Sequence, residues 1–444
     1  MIYLLSIPGL VLLGFVFKWI NKAPVRGVYL AFFATGILET VNLGPLREKV
    51  GLTELVILLT WFSMLVGHAE QNERQGFTQL QKLCLFFLSS FLIIEWISFF
   101  VNNARFYNYI AGSLVEVLNY TYGAMMVLTV ILLVDDWRKL KGCMYAWCLG
   151  GVVVSIIGVW AMTGTAPAWT IDEFTGRISS TLKFENQIPA FIIPIFLYSM
   201  VMLLSRSITK LIKSGLFILT ILMAITMIGT GSRTSFLLLI LSVVFLIVIG
   251  IVEWRNSDLL KGRLGLFSSA CTVGLFAYIL AALTAFDGNY SLGHTPSWQR
   301  PVVVIYNTLT SEAGTLDRTR LEQADVILEN IDQSMFIGNG PKLYGVKYGM
   351  SEIHNTYAGI YTESGLFGLI FFVSFLVCSC YTALYVSKRE PVAHHKLIAT
   401  TLVAGFVLLL LYGMTMYGLR QRNIWLLSGL LISTHALLRK SNQS

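Results

Sequence analysis

Apolar runs long enough to cross a lipid bilayer recur along this chain, near 2–18, 27–45, 52–69, 83–101, 110–134, 143–163, 187–204, 212–230, 234–252, 264–284, 362–386, 396–417 and 424–438. A bilayer core of about 30 Å takes about 20 apolar residues of helix. Backbone facing lipid must also satisfy its own hydrogen bonds, which a helix does within one segment. The pattern predicts an all-α polytopic membrane protein with about 12–13 transmembrane helices and one long external loop. Composition agrees: 55% of residues are hydrophobic and 13% charged, against about 25% charged in soluble domains. A soluble fold would leave large exposed apolar patches, and disorder or a disulfide scaffold is excluded by the same balance. All six cysteines lie inside apolar runs, as buried small hydrophobes do. Lys18 and Lys22 follow the first run instead of preceding it, so that segment reads as a span and not as a removable signal peptide.

Alternate short connections hold most of the lysines and arginines, among them Arg138, Lys139 and Lys141, then Arg255, Lys261 and Arg263, then Lys388 and Arg389. The positive-inside rule places these connections and the C-terminus in the cytoplasm and the long loop outside. The chain then divides into helices at 1–164, helices with external arginine loops at 165–284, a long external loop at 285–361 and C-terminal helices at 362–444. The net charge of +8 is accounted for by the cytoplasmic basic band, which suits anionic lipid. No zinc-finger spacing or stacking platform points to nucleic acid.

Basic residues on the external side are the informative ones. Arg233 sits in Gly229-Thr230-Gly231-Ser232-Arg233-Thr234, a short polar hairpin between two apolar runs. An unpaired charge at that depth is costly, so Arg233 either holds a ligand anion or snorkels to lipid phosphate. Arg177 lies in a second polar loop that leads through Asn186 into a span containing Pro189 and Pro194. Two prolines suggest a bent helix lining a cavity; Arg177 is a ligand residue or an ordinary loop arginine. In the long loop, Arg318 and Arg320 open an amphipathic stretch, 318–331, suited to a membrane surface. It precedes the turn-rich Phe336-Ile337-Gly338-Asn339-Gly340-Pro341. His354 stands at an external loop-to-helix junction, where a histidine takes a proton from a hydroxyl or simply caps and packs. Glu363 is a partner or a solvated carboxylate. Glu39, Glu95 and Glu116 mark an ion path or helix packing. No phosphate loop, zinc-binding His-Glu-x-x-His, nucleophile elbow or Asp-x-Asp pair is present.

These marks together resemble the O-antigen ligases and the related O-antigen polymerases, over about residues 170–435. The resemblance rests on Gly231-Ser232-Arg233 between two spans, on Arg320 with the Gly338/Gly340 turn, and on Arg177 with Asn186. Its most specific element is His354-Asn355, nine residues, then Gly365 and Gly368. It implies a glycosyltransferase of the bacterial inner membrane, working at the periplasmic face in lipopolysaccharide or surface polysaccharide biosynthesis. The donor would be a glycan on undecaprenyl pyrophosphate and the acceptor a saccharide hydroxyl, of lipid A-core or of a lipid-linked repeat. On this resemblance Arg177, Arg233 and Arg320 would grip the pyrophosphate and His354 would act on the acceptor hydroxyl, with Ser232, Asn355, Gly365 and Gly368 supporting them. Arginine binds phosphate oxygens in bidentate fashion and stabilises leaving-group charge. Pyrophosphate is already a good leaving group, so neither a metal nor a cofactor is expected. The histidine motif matches the ligase form at each defined position. Polymerases and related enzymes that modify proteins share these marks, and a lipid-linked oligosaccharide flippase or transporter would also need arginines near phosphate, though not His354.

Overall fold

A computed structural model describes residues 2–3, 7–37, 41–42, 51–66, 76–103, 107–172, 175–205, 208–256, 264–286, 296–310, 318–349 and 353–441. Every apolar run contains a helix. In chain order these and the shorter helices are α1 (Ile7–Lys22), α2 (Val25–Ala34), α3 (Leu52–Val66), α4 (Gln79–Asn103), α5 (Ile110–Leu133), α6 (Trp137–Met162), α7 (Gln187–Leu204) and α8 (Lys210–Gly229). There follow α9 (Arg233–Asn256), α10 (Leu264–Thr284), α11 (Arg300–Thr310), α12 (Arg318–Glu329), α13 (Leu343–Tyr348), α14 (Thr356–Arg389), α15 (Ala393–Gly413) and α16 (Arg422–Ser441). Two short strands, β1 (Ile2–Tyr3) and β2 (Val41–Asn42), pair in parallel. Among the described residues eight helices, α4 to α9, α14 and α15, are long and apolar enough to cross a membrane. The protein is an all-α, multi-pass membrane protein.

Two expectations change. The run at 27–45 is not one helix: α2 has ten residues, about 15 Å of rise. It ends where Thr35 Oγ1 bonds back to the Phe32 carbonyl (2.8 Å) and Gly36 turns the chain under the Phe191 ring. Glu39 lies outside the described residues. The long loop carries α11 and α13 as well as the anticipated α12, so it is more regular than its polarity suggests.

The chain forms two compact units. One comprises residues 1–68, 136–312 and 387–409, the other 69–135, 313–386 and 410–444. In the first unit α7 is the core helix, buried along nearly its whole length. Pro189 falls in its first turn, where a missing N–H costs nothing, and Pro194 lies inside it. Gly405 of α15 accommodates Pro194, since a Cβ there would sit 3.1 Å from the Pro194 Cα. Small residues also bring α6 close to its neighbours: Gly151 lies against Ile195 and Gly158 against Thr226, whose hydroxyl donates to the Ser155 carbonyl at 3.1 Å. In the second unit α5 and α16 meet where Gly123 faces the Trp425 indole and Gly429 faces Val130. Phe91, Phe372 and Trp425 pack beside them in tilted and edge-to-face pairs, with ring centroids 5.1 and 6.2 Å apart.

Candidate functional site: an arginine hairpin and a histidine cap

In the first unit the polar loop before α7 is strapped down by its own backbone. Ile171 and Ile178 form an antiparallel bridge. The Asp172 amide donates to the Arg177 carbonyl (2.7 Å), and Gly176 takes a positive φ of 64° between them. Ser180 reaches the Val154 carbonyl at 2.7 Å, and Thr181 reaches that of Gly36. Arg177 is thereby presented beside Glu185, with Nη1 3.4 Å from the carboxylate. Burial pushes the Glu185 carboxyl above its ordinary value, and the Arg177 charge opposes that rise. Among the described residues the Arg177 Nε has no hydrogen-bond partner.

The Thr230–Arg233 hairpin adjoins this loop, since the Ser232 hydroxyl donates to Asn186 Oδ1 at 3.3 Å. Ser232 caps α9 by accepting from the Ser235 amide (3.4 Å), so Arg233 becomes the first helical residue. Gly231 has φ 63°, and a Cβ there would lie 3.1 Å from the Ser297 carbonyl and 3.2 Å from the Arg300 Cδ. That contact identifies a residue the sequence reading passed over. Arg300 is buried and opens α11, which docks on α9 and α10 through Val302, Phe236 and Ala282. Two helix N-termini, each led by an arginine, therefore meet at one glycine turn. At α11 the first amides are already bonded, those of Gln299 and Arg300 to the Pro296 carbonyl and those of Val302 and Val303 to that of Gln299, so the arginine side chains and the helix dipoles are what favour an anion here. The only sequence signal for Arg300 was the apolar face beginning at Val302, within a loop otherwise read by its polarity.

An apolar groove of about 370 Å³ lies between α7, α8, α9 and α10. Phe196, Met200, Ile228, Leu239, Leu275 and Tyr278 line it. Ile228 is adjacent to the hairpin, and the Tyr278 hydroxyl donates to the Trp298 carbonyl at 2.5 Å, two residues before Arg300.

The second unit holds His354. Its backbone amide points to Gln323 Oε1 at 3.5 Å, which ties the junction to α12. Arg320 stands one turn earlier in that helix; its side chain lies outside the described residues. The capping role belongs to Asn355, whose Oδ1 accepts from the Tyr357 and Ala358 amides at 2.9 and 3.0 Å. His354 is left at the mouth of α14, half-buried. The two motif glycines have separate structural reasons. Gly365, with φ 71° and ψ −166°, breaks the helical path of α14. Into that break fits the turn carrying Gly338 (φ 77°), where the Asn339 and Gly340 amides donate to the Thr362 and Glu363 carbonyls at 2.8 and 3.0 Å. Gly368 packs against Ser364 and faces α4 at Ile94.

A methyl group at Gly365 would collide with the Phe336 carbonyl and would force a residue with a Cβ into positive φ. Gly365→Ala should therefore cost on the order of 1–3 kcal/mol, read as a lower thermal midpoint in detergent. Gly215→Ala in α8, where a Cβ meets nothing within 4 Å, is the matched control and should be neutral or slightly stabilising.

Glu363 and Glu116 prove to be partnered, buried groups. Glu363 accepts from Tyr120, Tyr417 and the Lys342 amide. Glu116 holds Arg420 in a bidentate pair, with Nε at 2.9 and 3.0 Å and Nη2 at 2.8 Å.

Compared with known proteins, residues 218–373 match the family model described as O-antigen ligase. The match runs from α8 through the Arg233 hairpin, the arginine-led helices and the His354 junction into α14. No curated protein matches the chain.

Proposed function

From the O-antigen ligase region that this chain carries over residues 218–373, we propose that it is a metal-independent glycosyltransferase. It moves a glycan from undecaprenyl pyrophosphate to a saccharide acceptor at the periplasmic face of the bacterial inner membrane. The observation that carries this reading is the hairpin at which Arg233 and Arg300 lead two helices onto Gly231, beside the Arg177 loop. As the glycosidic bond breaks, negative charge grows on the pyrophosphate, and arginine side chains held in place beforehand stabilise that charge without reorganising. Arg177, Arg233 and Arg320 bind the pyrophosphate, with Arg300 joining them. The apolar groove that Ile228 lines receives the polyprenyl tail. His354 takes the proton of the acceptor hydroxyl, or orients it, while that oxygen attacks the anomeric carbon.

The test supplies purified protein with undecaprenyl-pyrophosphate glycan, and with either lipid A-core or further lipid-linked repeat. A single shift of the lipid A-core band supports the ligase. A ladder on the lipid-linked repeat replaces it with the polymerase. No product in either tube, with Arg233→Ala and His354→Ala indistinguishable from wild type, overturns the reading.

The Arg177–Glu185 pair predicts a pH dependence. Because the Glu185 carboxyl is raised by burial, it stays neutral into a pH range where an unfolded glutamate is ionised. Folding binds that proton, so its contribution to stability declines as pH rises through the window. In the same window ionising Glu185 competes for Arg177. Donor affinity should fall a few-fold as pH increases through it, and Glu185→Gln should flatten the profile. An unchanged slope in Glu185→Gln would remove Arg177 from the donor site.

A further inference from the structure

The buried carboxylate of Glu363 touches neither arginine cluster nor the His354 ring in any described contact, yet three chain segments converge on it. Its Oε2 accepts the Tyr120 hydroxyl of α5 at 2.5 Å and the Tyr417 hydroxyl at 2.9 Å. Its Oε1 accepts the Lys342 amide at 3.0 Å. Its carbonyl accepts the Gly340 amide at 3.0 Å and the Ser98 hydroxyl of α4 at 2.6 Å. Such a group is expensive to bury unless its hydrogen bonds are made, and here they are made by three segments distant from it in sequence.

Tyr417 belongs to the 414–421 connection between α15 and α16, and this connection also holds the histidine junction. Asn355 Nδ2 donates to the Met414 carbonyl at 3.1 Å. Thr356 Oγ1 donates to the Met416 carbonyl at 2.8 Å and accepts from the Gly418 amide at 2.7 Å. Gly359 lets the Tyr417 ring lie directly on α14, where a Cβ would strike it. The connection is anchored once more by the Arg420–Glu116 pair, with the Arg420 guanidinium 5.4 Å from the Tyr417 ring centroid. The two residues that follow His354 are thus held by a loop whose middle is bolted to Glu363.

We propose that Glu363 is a positioning residue: through Tyr417 it locks the 414–421 connection, and through that connection it fixes the backbone on which His354 is presented. The inference rests on the functional reading for its kinetic arm only. A catalytic group must be held to about 0.5 Å and 10–20° to be effective, and a loosened cap fails that tolerance while Arg177, Arg233 and Arg300, which belong to the other unit, keep their own contacts.

The experiment compares wild type with Glu363→Ala, Glu363→Gln and Tyr417→Phe in detergent. Hydrogen exchange reads the lock without reference to activity. Glu363→Ala should raise deuterium uptake in 353–358 and 414–420 by several-fold while α7 and α9 stay as protected as in wild type. Tyr417→Phe should do so to a smaller degree. In the transfer assay, Glu363→Ala should lower kcat by about 10–100-fold with the donor KM within a factor of about two, and Glu363→Gln, which keeps an acceptor oxygen, should recover much of the loss. Unchanged uptake in both segments overturns the proposal. So does a Glu363→Gln protein that is folded, protected and as slow as Glu363→Ala, because the charge itself would then be needed. A wild-type protein without transferase activity removes the functional reading but leaves the exchange result to decide the lock.

Discussion

Replacing Arg233 by alanine should lower kcat/KM for glycan transfer by at least about 100-fold, the scale lost when one preorganised donor to developing charge is removed. The protein should remain folded. Ser232, not Arg233, caps α9, and the buried contacts of that helix begin at Ser235 and Phe236. Thermal unfolding should therefore move little, and the loss should fall on catalysis and donor affinity together, since a pyrophosphate carries charge before and after bond cleavage. Arg233→Lys should recover only part of the rate, because an ammonium supplies a point charge and not a planar two-pronged donor. Full activity in Arg233→Ala would withdraw the hairpin from the mechanism and leave Arg177 and Arg300 to be tested in its place.

His354→Ala should behave differently. Loss of a general base lowers turnover by about 10²–10⁴-fold, and three of the four proposed donor residues, Arg177, Arg233 and Arg300, belong to the unit that does not contain His354, so donor affinity should stay within a few-fold of wild type. The cap at the start of α14 belongs to Asn355, so the alanine protein should fold normally. Asn355→Ala is the informative contrast, costing about 1 kcal/mol of helix stability as well as loosening the junction. Equal losses of turnover and donor affinity in His354→Ala would make His354 a binding residue.

Much of this was legible in the residues. A run of about twenty apolar side chains has one low-energy form in lipid, so the helices could be placed without tertiary knowledge. A glycine beside an arginine in a tight polar hairpin, and a histidine before an asparagine cap, are local features, visible because their spacing along the chain is short. Arg300 was hidden for the opposite reason. Its neighbours in sequence are unremarkable, and its importance comes from Gly231, 69 positions away. Glu363 was equally ambiguous. A carboxylate near a membrane boundary is solvated or buried according to what packs on it, and its partners come from Tyr120, Lys342 and Tyr417, which no periodicity connects.

Hydrophobic patterning by itself determined that this is a helical membrane protein and which polar residues lie between its spans, since lipid leaves backbone amides no partners but one another. Only the tertiary structure decided that the span expected at 27–45 stops at Ala34, that two arginine-led helices share one glycine turn, and that a buried glutamate holds the loop beneath the histidine junction. Those outcomes depend on close approach between distant segments, where a single Cβ or one hydrogen-bond partner sets the arrangement, and that information is not carried by any stretch of the chain read alone.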